Sequence, residues 1–361
     1  MESIVRNAIG TEQNTTHNSA PSLVEGPKIV VVGSGGAGNN SINRIARLGI
    51  SGAQLIAINT DKQHLSLVHD AVQKVLIGQS VTRGLGAGGY PDIGAKAAEV
   101  SRAALSQLLD GADMMFLTAG MGGGTGTGTA PIIADIAKEQ GAIVIAMVTY
   151  PFKLERARIG KAEEGITKLR KVADTVIIID NNRLVELVPN LPMEQAFSVA
   201  DEVIARAVKG ITETITTPSL INLDYMDVRS IMTQGGVSVI SVGEAKGHTR
   251  VDEVVEDTLK NSLLDVNYEG AKGALIHITG GPDLTLGEAN DIGEKLTEMI
   301  DPNATVIWGA RIIPEYEGKV EVITIMTGVQ SQHIRGAAAA AVGGGTGANM
   351  QDMNLGISYL K

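Results

Sequence analysis

The sequence predicts an α/β fold in which a doubly wound, mostly parallel sheet is joined by a long central helix to a second, smaller α/β domain. Short apolar runs recur between Lys28 and Asp180 and are mostly separated by helix-like segments, as in parallel sheets buried on both faces. Residues 192–217 then carry apolar residues three and four positions apart, which is the spacing of an amphipathic helix. After Thr217 the alternation of apolar runs and helical segments begins again.

Each predicted element can be placed on the sequence. The first alternation contains the strand-length runs KIVVVG, AQLIAIN, KVLIG, MMFLTAG, AIVIAMVTY and TVIIID. The apolar stripe of the central helix consists of Phe197, Ala200, Ile204, Val208, Ile211 and Ile215. The second alternation contains SVISVGEA, a helix from about Val251, GALIHITG, a helix from about Thr285, and the closely spaced strands TVIWGARI and VEVITIMTGV.

These elements predict a division of the chain into segments. We expect a flexible N-terminal arm over 1–26, a first domain over 27–192, the central helix over 193–217 and a second domain over 218–330. Residues 331–361 contain GAAAAAVGGGTGANM and no periodicity, which predicts a flexible linker that ends in the peptide NLGISYLK.

The composition limits the classes of protein to be considered. The chain has 361 residues, of which 43% are hydrophobic, so it can bury a substantial core in two domains. It contains no cysteine, which excludes disulfides and cysteine nucleophiles and fits the cytoplasm. The net charge of −10 argues against nucleic acid as the main partner. No apolar run approaches a membrane span and residues 1–26 lack a signal-peptide pattern, so we expect no direct membrane insertion.

A glycine-rich loop follows the first predicted strand. The segment GSGGAG at residues 33–38 opens a helix, where glycines let the backbone approach phosphate oxygens and the helix start offers free N–H groups. Asp61 follows the second strand, where a dinucleotide-binding fold places its ribose-binding acid. These features alone favour an NAD-dependent oxidoreductase.

A second glycine-rich loop favours a different ligand. The segment GGGTGTG at residues 122–128 follows MMFLTAG and precedes a helix predicted to start near Ala130 and Pro131. Two such loops can hold a di- or triphosphate from both sides, and Thr125 and Thr127 add hydroxyl donors. No glycine loop is followed by the Lys-Ser/Thr pair of a P-loop. A further cluster, GGGTG at residues 343–347, follows no predicted strand and is interpreted as part of the linker.

Several segments resemble the FtsZ family of prokaryotic, tubulin-like cell-division GTPases. GGGTGTG is similar to the tubulin signature, and the resemblance extends to VVGSGGAGNN, INTD, TRGLGAGGYPDIG, NLDYMDVR and DPNATVIWGA. It covers about Lys28 to Val329 and is most similar to the archaeal branch. The resemblance implies a fold of the tubulin/FtsZ GTPase type, binding of GTP and GDP with Mg²⁺, and head-to-tail assembly of identical subunits into protofilaments. It also implies a place in the division ring at midcell, where the peptide NLGISYLK would bind a membrane-anchoring adaptor.

The same resemblance implies a nucleotide site built from several segments. Its phosphate-binding residues would be Gly36, Ala37, Gly38, Asn39, Asn40, Asn59, Asp61, Gly123, Gly124, Thr125, Gly126 and Thr127. The resemblance also implies that Ala87, Gly88 and Gly89 face the γ-phosphate. Glu155 and Arg158 would approach the ribose and phosphates. The segment PFKLER departs from the family's usual PFxxEG, which leaves Arg156 as an alternative to Arg158.

For the base, the resemblance points to Asn181, Phe197 and Asp201. Phe197 and Asp201 are four residues apart on the predicted helix, so a ring can stack on a purine while a carboxylate accepts from N1–H and the 2-amino group of guanine. The alternative is that Phe197 belongs to the core and Asp201 is a solvated neighbour.

Asn222, Asp224 and Asp227 allow two interpretations. From spacing alone, Asp224 caps a helix that runs toward Met232 and Asp227 lies in its first turn. The resemblance implies instead that these three residues are catalytic and enter the nucleotide site of the next subunit, where the aspartates position and polarise water. Such a site suits phosphoryl transfer, which depends on positioning and electrostatics. The six histidines lack metal-ligand spacing, so no metal ligand is predicted. A scaffold that binds nucleotide without hydrolysing it stays open as an alternative, as does the oxidoreductase.

Overall fold

The computed structural model describes residues 26–217, 221, 224–233, 237–260, 266–268 and 270–331. Nearly all of the predicted N-terminal arm and of the C-terminal linker and peptide lies outside these residues, as does Asn222. Within the described part of the chain, no helix is both long enough and apolar enough to span a membrane.

The observed strands and helices follow the predicted alternation. The strands are β1 (Ile29–Ser34), β2 (Ala53–Asn59), β3 (Gln73–Leu76), β4 (Met114–Gly120), β5 (Ile143–Tyr150), β6 (Thr175–Asp180), β7 (Val237–Lys246), β8 (Val266–Asn267), β9 (Gly273–Gly280), β10 (Thr305–Ile312), β11 (Lys319–Thr327) and β12 (Gln330–Ser331). The α-helices are α1 (Gly35–Leu48), α2 (Lys62–Ser66), α3 (Gln79–Thr82), α4 (Pro91–Glu99), α5 (Arg102–Leu109), α6 (Thr125–Glu139), α7 (Arg156–Leu169), α8 (Asn181–Leu187), α9 (Met193–Thr216), α10 (Tyr225–Met232), α11 (Arg250–Lys260) and α12 (Leu286–Thr297). Short 3₁₀ helices occupy Lys153–Glu155 and Pro314–Tyr316.

The main sheet has the strand order β10-β9-β11-β7-β6-β5-β4-β1-β2-β3. The strands β1 to β6 are all parallel and follow the order 3-2-1-4-5-6, so the direction of winding reverses between β1 and β4. β7 continues the sheet in parallel beside β6, whereas β11 is antiparallel to β7 and β9. The doubly wound, mostly parallel fold predicted from the sequence is confirmed.

Both faces of the parallel sheet are buried under helices. Successive side chains of a strand point to opposite faces, so Val30 and Val32 of β1 join one apolar cluster and Ile29 and Val31 join the other. The first cluster includes residues of α5, α6 and α7, and the second includes residues of α1, α9 and α10. A third cluster packs α11 and α12 against β7, β9 and β11, which forms the core of the smaller α/β part.

The central helix α9 buries its predicted stripe except at its N-terminal end. Ala200, Ile204, Val208 and Ile211 are buried and belong to the second cluster. Phe197 continues the same stripe but is 39% exposed. The core interpretation of Phe197 therefore does not hold, because this side chain lines both cavities at the carboxyl ends of the strands.

The prediction that a helix starts near Ala130 and Pro131 was wrong, because α6 begins at Thr125. Glycine disfavours helices, and Gly126 and Gly128 therefore made this segment look like a loop. The packing requires glycine within the helix, since a Cβ on Gly126 would lie 2.7 Å from the Gly120 carbonyl oxygen and one on Gly128 would lie 2.0 Å from that of Pro91. Close tertiary packing thus outweighs the low helical propensity.

Candidate nucleotide-binding site

The two glycine-rich segments meet at the carboxyl ends of β1 and β4. These strands are in register, with Ser34 beside Ala119, so α1 and α6 begin next to each other at the point where the winding reverses. In sheets of this class ligands bind in the crevice at that point, where helix starts present unpaired N–H groups.

The two segments touch directly. Gly35 has a φ of 72°, and a Cβ there would lie 2.8 Å from the backbone nitrogen of Gly126. A side chain at Gly35 would therefore both strain the backbone and separate the loops. Glycine at this position lets the N-termini of α1 and α6 converge on one ligand.

Two adjoining cavities open at this edge of the sheet, with volumes of about 780 and 630 Å³. They share Gly36, Ala37, Thr149, Asn181 and Phe197 as lining residues. Each is of the size usual for small-molecule sites. The predicted site residues that line one or both cavities are Gly36, Ala37, Asn40, Gly123, Gly124, Thr125, Gly126, Glu155, Arg158, Asn181, Phe197 and Asp201.

The predicted residues Gly38, Asn39, Asn59, Asp61 and Thr127 lie behind the cavity wall and support it. The buried Asn39 amide donates to the carbonyl oxygens of Gly33 (2.9 Å) and Gly35 (3.2 Å) and accepts from Nδ2 of Asn59 (3.0 Å). The Oδ1 of Asn59 accepts from the N–H groups of Thr60 and Asp61.

The other supporting residues act in similar ways. The Asp61 carboxylate caps α2 by accepting from the N–H groups of Gln63 and His64. The buried Thr127 hydroxyl accepts from the Gly122 N–H at 2.9 Å. A Cβ on Gly38 would lie 2.3 Å from the Thr118 carbonyl oxygen, so close packing requires glycine there. These contacts fix the shape of both loops.

The predicted segment Ala87–Gly89 packs on the second glycine loop from outside. A Cβ on Gly124 would lie 2.9 Å from the Ala87 Cβ and 3.0 Å from the Gly89 nitrogen. Gly88 and Gly89 have φ values of 58° and 77°, which glycine adopts at little cost. This segment therefore contacts the cavity wall without lining either cavity.

Glu155 and Arg158 enter the larger cavity from the start of α7. The Glu155 carboxylate accepts from the Phe152 N–H (3.1 Å) and from the Arg158 guanidinium (2.6 Å). Arg158 packs closely against Gly122, since a Cβ added to Gly122 would lie 2.8 Å from the Cβ of Arg158. Arg156 lines neither cavity. This arrangement favours Arg158 over Arg156 as the cation nearest the glycine loops.

The opposite end of the site combines an aromatic ring, an amide and a carboxylate. Phe197 meets Phe152 edge to face, with ring centroids 5.7 Å apart. Asn181 begins α8 and borders both cavities. Asp201 accepts from the Ser41 hydroxyl at 2.6 Å, and burial raises the pKa of its carboxyl although Arg44 opposes the shift. Asp201 is therefore a largely buried, oriented acceptor rather than a solvated neighbour.

The sequence reasoning missed several lining residues. Ser41 and Phe152 contact predicted site residues. Further lining residues of the cavities are Asn43, Arg44, His64, Thr149, Glu194 and Ser198. Ser41 and Arg44 lie one turn and two turns after the first glycine loop, so helical periodicity from Ala37 could have identified them. Phe152 is brought to the site only by the fold, and no local signal marks it.

Asp224 and Asp227 lie at the other edge of the sheet. The Asp227 N–H donates to the Asp224 carboxylate (2.7 Å), and the Asp224 N–H donates to the Asp227 carboxylate (3.4 Å), which forms a capping box at the start of α10. The Tyr225 hydroxyl donates to the Asp113 carbonyl just before β4, and Thr175 at the start of β6 donates to the Met232 carbonyl. Both ends of α10 thus contact the amino ends of the parallel strands.

Within the described ranges, no group of three or more His, Asp or Glu side chains is arranged to hold a metal ion. Mg²⁺ commonly binds through one or two carboxylates, with phosphate oxygens and water as its other ligands.

Comparison with known proteins assigns the chain to a family. A model of the Tubulin/FtsZ family GTPase domain matches residues 28–189, and one of the FtsZ family C-terminal domain matches residues 236–330. The cell division protein FtsZ 2 of Methanocaldococcus jannaschii is 64% identical over 312 residues, which cover 86% of this chain and 82% of that protein. The FtsZ 2 of Halobacterium salinarum strain R1 is 58% identical over 310 residues, which cover 86% and 79%.

A solved structure gives the same assignment. An empty FtsZ dimer from M. jannaschii is 45% identical, has a TM-score of 0.79 and covers 90% of this chain and 92% of its own. These comparisons give no support to the NAD-dependent oxidoreductase alternative. The converging glycine loops, the cavity at the reversal point and these matches show that the chain belongs to the tubulin/FtsZ family, as one of its FtsZ cell-division GTPases.

Proposed function

We propose that this protein hydrolyses GTP at a site that is complete only when a second copy stacks on it head to tail. The observation that carries the proposal is the separation of the two parts of the site. The cavity lies at the carboxyl ends of the strands, whereas Asp224 and Asp227 lie near their amino ends. A seven-residue strand such as β4 spans about 20 Å, so the aspartates of one chain do not reach its own cavity.

Nucleotide binding uses groups at both ends of the cavity. The free N–H groups at the starts of α1 and α6 and the Arg158 guanidinium suit a polyphosphate. At the other end, the Asp201 carboxylate would accept from guanine N1–H and the 2-amino group, while the Phe197 ring would pack on the base. Adenine lacks that pair of donors, so Asp201 favours guanine.

Mg²⁺ fits this site as an ion held mainly by phosphate oxygens and water. Thr125 offers a hydroxyl oxygen where α6 begins, next to the cavity. When bound, Mg²⁺ offsets the charge of the triphosphate, which two aspartates from a neighbouring copy would otherwise repel.

The aspartates then act on water rather than on phosphorus. Head-to-tail stacking would place the carboxyl edge of one sheet against the amino edge of the next, bringing Asp224 and Asp227 over the terminal phosphate. There the carboxylates would orient and polarise the attacking water, with Asn222 beside them. The M. jannaschii relative described as a dimer supports self-association of this family.

The substitution Asp227→Ala tests this role. We expect GTP to bind within about twofold of wild type while turnover falls at least about 100-fold, a size typical of losing a group that assists proton transfer. The measurements are equilibrium GTP binding and steady-state phosphate release. Asp291→Ala, an exposed aspartate on α12, is the matched control and should leave both unchanged. Normal turnover by Asp227→Ala would refute the composite site.

We further propose that the filament acts in the cytoplasm at the midcell division ring, consistent with the names of its relatives. The peptide NLGISYLK, which lies outside the described residues, would bind a membrane-anchoring adaptor. Deleting residues 354–361 should abolish recruitment of the protein to membranes that carry the adaptor and leave GTP turnover in solution unchanged. Undiminished recruitment of the shortened chain would exclude this role for the peptide.

A further inference from the structure

One face of α7 packs against the second glycine loop, at residues 122 and 127. Arg158, Lys161 and Gly165 share this face because they are spaced by three and four residues. Arg158 packs on Gly122, and a Cβ on Gly165 would lie 2.5 Å from the Thr127 side chain. The helix is therefore fixed against the second glycine loop on both sides of Lys161.

Lys161 reaches from this helix to the segment Ala87–Gly89. Its ammonium group donates to the Gly89 carbonyl oxygen at 2.7 Å. The same group lies 5.5 Å from the centroid of the Tyr90 ring, within the range of a cation–π contact. Lys161 thus contacts Gly89 through a hydrogen bond and the next residue, Tyr90, through a cation–π contact.

The segment is held by the buried Ala87 side chain and by a hydrogen bond from the Tyr90 N–H to the Ala87 carbonyl oxygen, but it is rich in glycine. Gly84, Gly86, Gly88 and Gly89 all have positive φ values, between 58° and 84°, and glycine loses the most conformational freedom when it is ordered. In the part of the chain that the structure describes, the N–H groups of residues 87–89 donate to no protein acceptor. Successive free N–H groups with left-handed backbone can form a concave anion site. Here the Gly89 nitrogen lies 3.0 Å from the position of a Cβ on Gly124, and Gly124 lines the larger cavity.

We propose that Lys161 is a positioning residue that presets these N–H groups toward the terminal phosphate and so lets the chain distinguish GTP from GDP. This inference rests on the proposed function. Lys161 contacts a carbonyl oxygen and a ring of its own chain, so its removal loosens the segment without removing a nucleotide contact. GDP lacks the terminal phosphate, so the affinity for GDP should not depend on how this segment is positioned.

The test is Lys161→Met, which keeps the apolar stem and removes the ammonium. Binding of the imido analogue of GTP and of GDP is measured by calorimetry with Mg²⁺, at protein concentrations below the onset of assembly. We expect the analogue to bind about 5- to 10-fold more weakly, since the lost hydrogen bond and cation–π contact are each modest. GDP affinity should change less than twofold. Lys161→Arg should restore at least half of the lost discrimination, because it retains a charged donor.

Lys168→Met is the matched control on the same helix. Lys168 forms an exposed ion pair with Glu164 at 2.7 Å, so its replacement should leave both affinities unchanged. If Lys161→Met does not fold, as judged by its melting temperature, the same comparison is made with Lys161→Gln. Equal weakening of both nucleotides, or no change in either, would overturn the role of Lys161. Failure of the wild-type protein to bind either nucleotide would instead refute the proposed function.

Discussion

Among single residues, Asp201 is the one that we propose selects the base. Its carboxylate is oriented by the Ser41 hydroxyl and largely removed from water, and this burial raises its pKa. A buried acceptor that is left without a donor costs more than an exposed one, because water cannot replace the lost hydrogen bond. The site should therefore discriminate strongly between bases that differ only at the edge facing Asp201.

The substitution Asp201→Asn should change this preference from guanine to xanthine. An asparagine still accepts from N1–H, but its amide now donates to the 2-oxo group of xanthine and opposes the 2-amino group of guanine. Affinity for GTP should fall about 10- to 100-fold, the size expected for hydrogen bonds to a charged group. XTP should become the tighter ligand in a competition-binding measurement.

Glu194→Gln is the control for this substitution, since Glu194 lines the same cavity and is exposed. It should keep the wild-type preference for GTP. If the Asp201→Asn protein still binds GTP more tightly than XTP, a group other than Asp201 determines the selectivity for guanine.

A site residue could be predicted from the sequence only where neighbouring residues form a recognisable pattern around it. The glycine loops were identifiable because their spacing between a strand and a helix has few structural alternatives. Phe197 and Asp201 were ambiguous, because an apolar stripe on a helix does not reveal where the sheet beneath it ends. Phe152 was missed because it lies far from Phe197 in the sequence and only the fold brings the two rings together.

Among the elements, the central helix α9 is attached to the smaller α/β part through buried polar contacts. Thr214 of α9 bonds to Nδ1 of His277 on β9 at 2.9 Å, and Thr279 bonds to its Nε2 at 3.1 Å. Burial, assisted by the nearby Arg311 guanidinium, lowers the pKa of His277 to about 4. The ring is therefore neutral at pH 7, and protonation would place an unfavourable charge in this buried junction near the Arg311 guanidinium.

The stability of the protein should consequently fall as the pH is lowered from about 6.5 toward 4. In this range the unfolded chain, with an ordinary histidine pKa, binds more protons than the folded chain. The contribution of His277 to the free energy of unfolding should fall by about 2 kcal/mol between pH 7 and pH 5. The free energy of unfolding of wild type and of His277→Gln is measured in urea at both pH values. The contribution of His277 is the change between pH 7 and pH 5 in wild type minus the same change in His277→Gln.

His248→Gln provides the matched comparison, because His248 is exposed. It should keep the wild-type dependence on pH, whereas His277→Gln should be less stable at pH 7 but less sensitive to acid. Identical pH dependence in wild type and His277→Gln would contradict the assignment of a buried neutral ring.

The predicted elements were confirmed where hydrophobic periodicity dominates. The strands and the long helix were identifiable because buried parallel strands are continuous apolar runs and α9 buries a regular stripe. The sequence did not indicate that β7 would pair with β6 and continue the sheet, since pairing of such distant segments leaves no local pattern. The start of α6 was predicted too late in the sequence. The low helical propensity of glycine indicated a loop, whereas close packing at Gly126 and Gly128 keeps these residues in the helix.

For the whole molecule, the two functional edges of one sheet determine how copies must associate. The cavity edge and the α10 edge are different surfaces, so a contact between them is heterologous and repeats indefinitely unless a ring closes. A filament is thus the assembly that the proposed composite site predicts for this chain. We propose that 27–192 and 218–330 act as its two domains with α9 between them, so that each inter-subunit contact joins the nucleotide domain of one copy to the α10 edge of the next.

If catalysis requires two copies of the chain, GTP turnover per molecule must depend on protein concentration. With Mg²⁺ present, turnover per molecule should be close to zero at low concentration and should rise above a threshold at which light scattering also detects polymer. A turnover per molecule that is substantial and independent of concentration would mean that one chain carries the complete active site, and would contradict the account.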